Sequence, residues 1–176
     1  MASRAGALVR TFMLVRMVRP RERMALVPAW SGSGGTIEAM PFVVRDHTAD
    51  VALVIDAPSL PALFEEACQA LLSLLVEEPS SVREAECRAF EVPGDDPPDL
   101  LLDLLSELLA TFETRGWLTR RCHVDQVAGG LRVRAFGEPL DPSRHRLTHE
   151  VKAITYHRLT VRRVRGRWLA EVIVDV

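Results

Sequence analysis

The sequence predicts an α+β fold, a two-layer sandwich with two helices packed on a mixed, largely antiparallel β-sheet. Two leucine-rich segments repeat at helical spacing, and several others alternate with period two. The strands of the final third are joined by short glycine-containing turns rather than helical crossovers.

Phe42 to Arg45 and Val51 to Asp56 read as short strands, the second with Val51, Leu53 and Ile55 on one face. Ser59 is suited to cap a helix running to about Val76, because Leu60, Leu63, Phe64, Ala67, Leu71, Leu74 and Leu75 form one stripe. Pro79 is expected to end it. Glu86 to Val92 is the next strand. Pro93-Gly94-Asp95-Asp96-Pro97-Pro98 is turn chemistry that also sets acids at the positive end of a second helix. That helix spans Asp99 to about Arg115, with Leu101, Leu104, Leu105, Leu108 and Phe112 inward and Gly116 as its stop. Strands follow at Cys122 to Val127, Leu131 to Phe136, Val151 to Val164 and Trp168 to Val176, with turns at Gly129-Gly130 and Arg165-Gly166.

A chain of 176 residues suits one domain with a sizeable core. Residues 1–39 lack a convincing period and contain the linker-like run Ser31-Gly32-Ser33-Gly34-Gly35, so the domain is expected over residues 40–176. Translation starting at Met40 is the preferred account of the leader, ahead of a disordered tail and a targeting signal. Arg10, Arg16 and Arg19 interrupt any secretory h-region. Residues 1–40 hold six arginines against Glu22 and Glu38, a net charge of +4, whereas the remainder holds 16 basic and 22 acidic residues, a net charge of −6. An acidic body is a poor direct ligand for a phosphate backbone, so any nucleic acid involved is expected to be held by something else. No apolar run approaches the ~18 residues of a membrane span. Cys68, Cys87 and Cys122 are odd in number and never spaced Cys-x-x-Cys, which argues against a disulfide framework or a cysteine zinc site and for a reducing, intracellular setting.

Three segments stand apart from core patterning. Asp46-His47-Thr48-Ala49-Asp50-Val51 places two carboxylates and an imidazole in a break between strands; judged alone, a turn whose Asp and Thr bond their own backbone is the plainer account. In Lys152-Ala153-Ile154-Thr155-Tyr156-His157, Lys152 is the only lysine beside 21 arginines. Its survival suggests a place where a compact ammonium is needed, against the alternative of chance. Tyr156 reads as a core or interface ring, and His145, His149 and His157 match no zinc spacing. The third segment, Val172-Ile173-Val174-Asp175-Val176, runs a strand pattern into the terminus, with the Asp175 carboxylate one residue from the α-carboxylate of Val176. If Asp50 approaches them, three hard oxygen donors suit Ca²⁺ or Mg²⁺; a terminus simply exposed to water is the other reading.

Taken together, Asp-His-Thr-Ala-Asp-Val at 46–51, the leucine-rich helix at 100–109, Lys-Ala-Ile-Thr-Tyr-His at 152–157 and the terminal Val-Asp-Val resemble the archease family, accessory proteins of RtcB-type RNA ligases. The resemblance spans about Phe42 to Val176 and departs from the family's frequent glycines at Ala52 and Pro58. It implies a two-layer α+β sandwich and a non-enzymatic role. Such a protein assists the ligase in attaching GMP to its active-site histidine and in multiple turnover, during tRNA splicing or RNA repair in the cytoplasm. RNA would then be met only indirectly, through the ligase, with no membrane involved. It also implies a metal site on Asp50, Asp175 and the terminal carboxylate of Val176, filled by a divalent cation, Ca²⁺ first and Mg²⁺ or another divalent as alternatives. Asp46, His47, Lys152, Tyr156 and His157 are the candidate partner-facing residues. A different class of function is a metal-dependent hydrolase with His47 as base beside a cation at Asp50 and Asp175. Against it, no nucleophile is paired with a base and no Gly-rich phosphate loop occurs.

Overall fold

The computed structural model describes residues 50–176; the strand expected at 42–45, the leader, Asp46 and His47 lie outside the described residues. The chain runs β1 (Asp50–Ala57), α1 (Leu60–Leu75), a 3-10 turn (Pro79–Ser81), β2 (Glu86–Pro93), α2 (Pro97–Arg115), β3 (Trp117–Val127), β4 (Gly130–Pro139), β5 (Ala153–Val164) and β6 (Arg167–Asp175).

Both helices begin where the sequence places their caps. Ser59 Oγ accepts from the Ala62 amide at 3.3 Å, and the buried stripe of α1 includes Leu63, Phe64, Leu71 and Leu74. The helix stops at Leu75, ahead of Pro79, for a tertiary reason. Val76 turns extended and bridges Leu147, while the Thr148 amide and hydroxyl donate to Leu75 O at 3.1 Å and Leu74 O at 2.6 Å. These bonds satisfy carbonyls that the helix end leaves open. The second helix starts two residues earlier than expected, since Pro97 and Pro98 fit a first turn whose amides need no partner. It ends at Gly116, whose φ of 59° is left-handed and whose amide donates to Phe112 O at 2.8 Å.

The strands form two three-stranded sheets, in the orders β1-β6-β5 and β2-β4-β3. The sequence reading allowed a mixed sheet; every pairing among the described strands is antiparallel. α1 packs on β1 and β3 and meets α2, and α2 packs on β3 and β5, so the helices bind both sheets into one core. β3 begins at Trp117, five residues before the expected Cys122. Its first three residues are all buried and a bulge at Arg120 shifts the register, so period-two alternation is lost there. β4 continues past Phe136 through Gly137, where a Cβ would lie 1.9 Å from Leu118 O; only glycine admits so close an approach of β3. β5 is also less regular than the sequence suggests. Thr155 pairs with Ile173 and Thr160 with Glu171, so four residues from Tyr156 to Leu159 oppose Val172 alone, with Arg158 at a φ of 59°.

One buried ionic cluster ties the end of β4 to the two loops beside it. Glu138, 6% exposed, accepts from Arg144 Nη1 at 3.0 Å and Nη2 at 2.8 Å and from the Arg83 amide at 2.7 Å. Arg144 also donates to Ser81 O at 3.1 Å and Asp141 at 2.9 Å. His145 Nδ1 accepts from the Asp141 amide at 3.0 Å, which leaves the ring proton on Nε2, 3.2 Å from Glu138 Oε1. The Arg144 guanidinium holds the Glu138 carboxyl down at about 2, against an ordinary value of 4.5. A carboxyl depressed on folding stabilises fully above its unfolded value and loses that contribution as pH falls through its folded one. Thermal melting should therefore drop steeply between pH 4.5 and 2. Glu138→Gln, which leaves Arg144 without a counter-charge, should lower Tm at pH 7 by roughly 5–10 °C and flatten that slope, measured by circular dichroism.

Candidate functional site

β6 is the middle strand of its sheet, and its antiparallel neighbours bring three distant segments to its C-terminal end. In register, Asp175 stands opposite Asp50 on β1 and opposite Ala153 on β5. Directly opposed residues share a face, so Asp50 and Asp175 project on the same side, away from the core face that carries Val51, Leu53, Val172 and Val174. Asp50 is exposed and Asp175 half-buried. Two like charges in direct cross-strand opposition destabilise a sheet unless solvent or a cation relieves them.

Lys152 precedes β5 at this same end. Its amide donates to Asp175 O at 2.8 Å and its Nζ donates to Val176 O at 3.1 Å. The side chain of Val176 packs against the core, so the last residue is held from both directions. The lone lysine thus has a local partner in the Val176 oxygen. Among the described residues no group of three His, Cys, Asp or Glu side chains comes together as a metal-ligand set. Asp50 and Asp175 bring two carboxylates together, and oxygen donors of this kind are the chemistry that hard cations take.

The β5 bulge sets Tyr156 and His157 on the surface, with Tyr156 62% exposed rather than in a core. The Asp99 carboxylate, in the first turn of α2, raises the Tyr156 phenol above its ordinary value, with Asp96 adding to it. Asp50, Asp175, Asp96 and Asp99 therefore make one end of the molecule acidic, with Lys152 the base engaged there. Sequence reading placed Asp96 and Asp99 at a helix start but did not join them to Tyr156, because only the bulge brings that strand residue to the helix.

The remaining candidates resolve as structural groups or surface ones. His145 is buried in the Glu138 cluster, His149 is half-buried and His157 is exposed. The cavity between α1, α2 and β3, lined by Cys68, Leu72, Phe112, Trp117 and Thr119, measures about 10 Å³, too small for any substrate. Cys68 and Cys122 are buried free thiols and Cys87 an exposed one; burial pushes the Cys68 thiol well up and keeps it inert. No described helix is long and apolar enough to cross a membrane.

Comparison with known proteins agrees with this fold. Residues 42–176 match the archease protein family. The archease of Methanopyrus kandleri is 39% identical over 141 residues, covering 78% of this chain and 100% of that protein. The archease of Pyrococcus abyssi is 35% identical over 136 residues, covering 74% and 95%. Among solved structures, protein 1598 of Methanobacterium thermoautotrophicum has a TM-score of 0.63 at 32% identity, covering 75% of this chain and 96% of that one. A Thermotoga maritima structure, described as an archease and possible chaperone, shares the fold with a TM-score of 0.57 at 23% identity over 75% and 94% of the two chains. The family match over residues 42–176, with coverage of nearly whole relatives, leads to one conclusion: the chain belongs to the archease family.

Proposed function

We propose that this chain is a non-enzymatic accessory protein that activates an RtcB-type RNA ligase, promoting attachment of GMP to the ligase and its repeated turnover in tRNA splicing or RNA repair. The observation that supports it is the opposition of Asp50 and Asp175 beside Lys152 and Val176. Exposed hard-oxygen donors at the rim of a molecule suit delivery of a cation, or of charge, to a partner's metal and nucleotide site better than chemistry within this chain. Asp50, Asp175 and the Val176 carboxylate would hold the divalent cation, Ca²⁺ or Mg²⁺, and Lys152 would fix the terminus that supplies the third oxygen. Tyr156 and His157 lie on the same surface and would face the partner. The description of the Thermotoga relative as a possible chaperone is in keeping with a protein that acts on another.

The deciding experiment is ligase guanylylation with and without this protein. Substoichiometric amounts should restore multiple turnover to a cognate ligase, while the protein alone neither joins RNA nor hydrolyses GTP. Robust GTP hydrolysis by the isolated chain, lost on His47→Ala, would replace this reading with a hydrolase.

Lys152→Arg should leave the melting curve unchanged and reduce ligase activation, since a longer, forked cation cannot sit on the Val176 carbonyl as an ammonium does. Unaltered activation kinetics would return Lys152 to a surface role.

The cation site is tested through its third ligand. Appending one glycine after Val176 moves the terminal carboxylate by up to ~3.5 Å and leaves every side chain in place. That displacement exceeds the tolerance of a metal–oxygen distance near ~2.4 Å. Calorimetric titration with Ca²⁺ should show weakening by roughly tenfold or more for the extended protein, for Asp175→Asn and for Asp50→Ala, with parallel losses of ligase activation. Equal binding by the extended protein would remove the terminal carboxylate from the site.

A further inference from the structure

Between His157 and Arg167 the chain carries five arginines and no acidic residue. An even spread of the 21 arginines would place about one in a stretch of this length. The stretch forms the distal part of the β5–β6 hairpin, whose two-residue tip is Arg165-Gly166, with left-handed φ values of 49° and 83°. Arg158, Arg162, Arg163, Arg165 and Arg167 are all exposed. Arg167 is neutralised locally, Nε donating to Asp56 at 2.7 Å. Among the described residues the other four have no carboxylate within ion-pair distance, whereas Arg121 and Arg132 on the second sheet each have one.

The register shows how the charge is laid out. Arg162 stands opposite Leu169 on one face of the ribbon, Arg163 opposite Trp168 on the other, and Arg165 forms the tip. Positive charge therefore surrounds the ribbon rather than lying on one side. We propose that this hairpin binds the phosphodiester backbone of a nucleic-acid strand. A protein partner would need an apolar or aromatic anchor at the centre of the contact, and between His157 and Arg167 the only large exposed hydrophobic residue is Val164, at 36%, Tyr156 lying toward the end of β5 far from the tip. A phosphate backbone needs none: guanidinium groups bond phosphate oxygens two at a time and release condensed counterions. The acidic end of the molecule does not oppose this. Asp175 and Arg167 are eight residues apart on β6, ~26 Å at strand rise, several times the Debye length of ~8 Å in physiological salt. The inference stands apart from the ligase reading, because it concerns binding by this chain alone.

The test is a fluorescence-anisotropy titration of a labelled 20-nucleotide single-stranded RNA, and of DNA of the same sequence, with the full chain at 50 and 200 mM salt. The expected result is binding of both strands that weakens roughly 20-fold across that range, as three phosphate contacts require. The triple variant Arg162→Gln/Arg163→Gln/Arg165→Gln should bind at least about tenfold more weakly with a shallower salt slope. Arg132→Gln/Arg134→Gln on β4 should stay within about twofold of the parent. The three single variants, each checked for an unchanged melting curve, should share out the triple effect. Stronger binding of RNA than DNA would add a 2′-hydroxyl contact to the same surface. Three results would overturn the proposal: no salt-sensitive binding, a triple variant that binds like the parent, or displacement of RNA by polyglutamate of equal charge as readily as by unlabelled RNA. The second would shift the contact to the arginines of residues 1–40, and the third would make the hairpin a site for acidic proteins.

Discussion

The position of β6 as the central strand of its sheet is the constraint on which the candidate site depends. It pairs with β1 on one side and β5 on the other, so residues from the two ends of the described region, Asp50 and Asp175, become direct neighbours. No local sequence property does this. The pairing is held by the opposite face of the same strand, where Ala170, Val172 and Val174 are buried against the helices. Because alternation is strict, burying those three fixes Asp175, Ile173 and Glu171 on the other face, and a slip of one residue would exchange the two sets. The apolar core thus determines which way the carboxylates point.

The fold was legible wherever one physical rule governed a segment. Ser59 and Gly116 mark helix ends through backbone chemistry that needs no tertiary partner, and the leucine stripes of α1 and α2 name their own buried faces. It was less legible where a distant segment decided the outcome. The end of α1 is set by Thr148, 74 residues beyond the Leu74 carbonyl that it satisfies. The extension of β4 through Gly137 and Glu138 reads as strand-breaking in isolation, yet Gly137 is required by the approach of Leu118 and Glu138 by its pairing with Arg144. The bulge in β3 concealed the start of that strand by breaking its period, whereas β5 is legible nearly whole despite its own bulge.

The site was legible as a set of residues but not as an arrangement. Asp50, Lys152 and Asp175 stand out by type and by their place at segment ends, and the resemblance to archeases joined them before any coordinates did. What the sequence could not supply was the partner of each. Lys152 is notable for being alone among arginines, and its ammonium donates to the Val176 oxygen 3.1 Å away. Tyr156 was read as an interior or interface ring, and the β5 bulge turns it out to solvent beside Asp99. Asp46 and His47 lie outside the described residues, so their part in the arrangement stays with the sequence reading.

Net charge hides how the charges are arranged, and the reason is geometric. A sum over the chain treats the molecule as a point, whereas fields in salt water decay within a few side-chain lengths. β6 carries Asp175 at one end and Arg167 at the other, and β5 sets Arg162 and Arg163 beside the Arg167 end, so the two ends of the hairpin differ in charge. The buried ionic cluster around Glu138 belongs to neither end. It sits where β4 meets the loops beside it and spends its charge internally on Arg144 and the Arg83 amide. The buried charge of the Glu138 cluster and the exposed charge at the ends of β6 are therefore carried by different residues on different sheets. The exposed groups at both ends of β6 can change without unsatisfying anything buried, and for that reason their substitution reports on function rather than on folding.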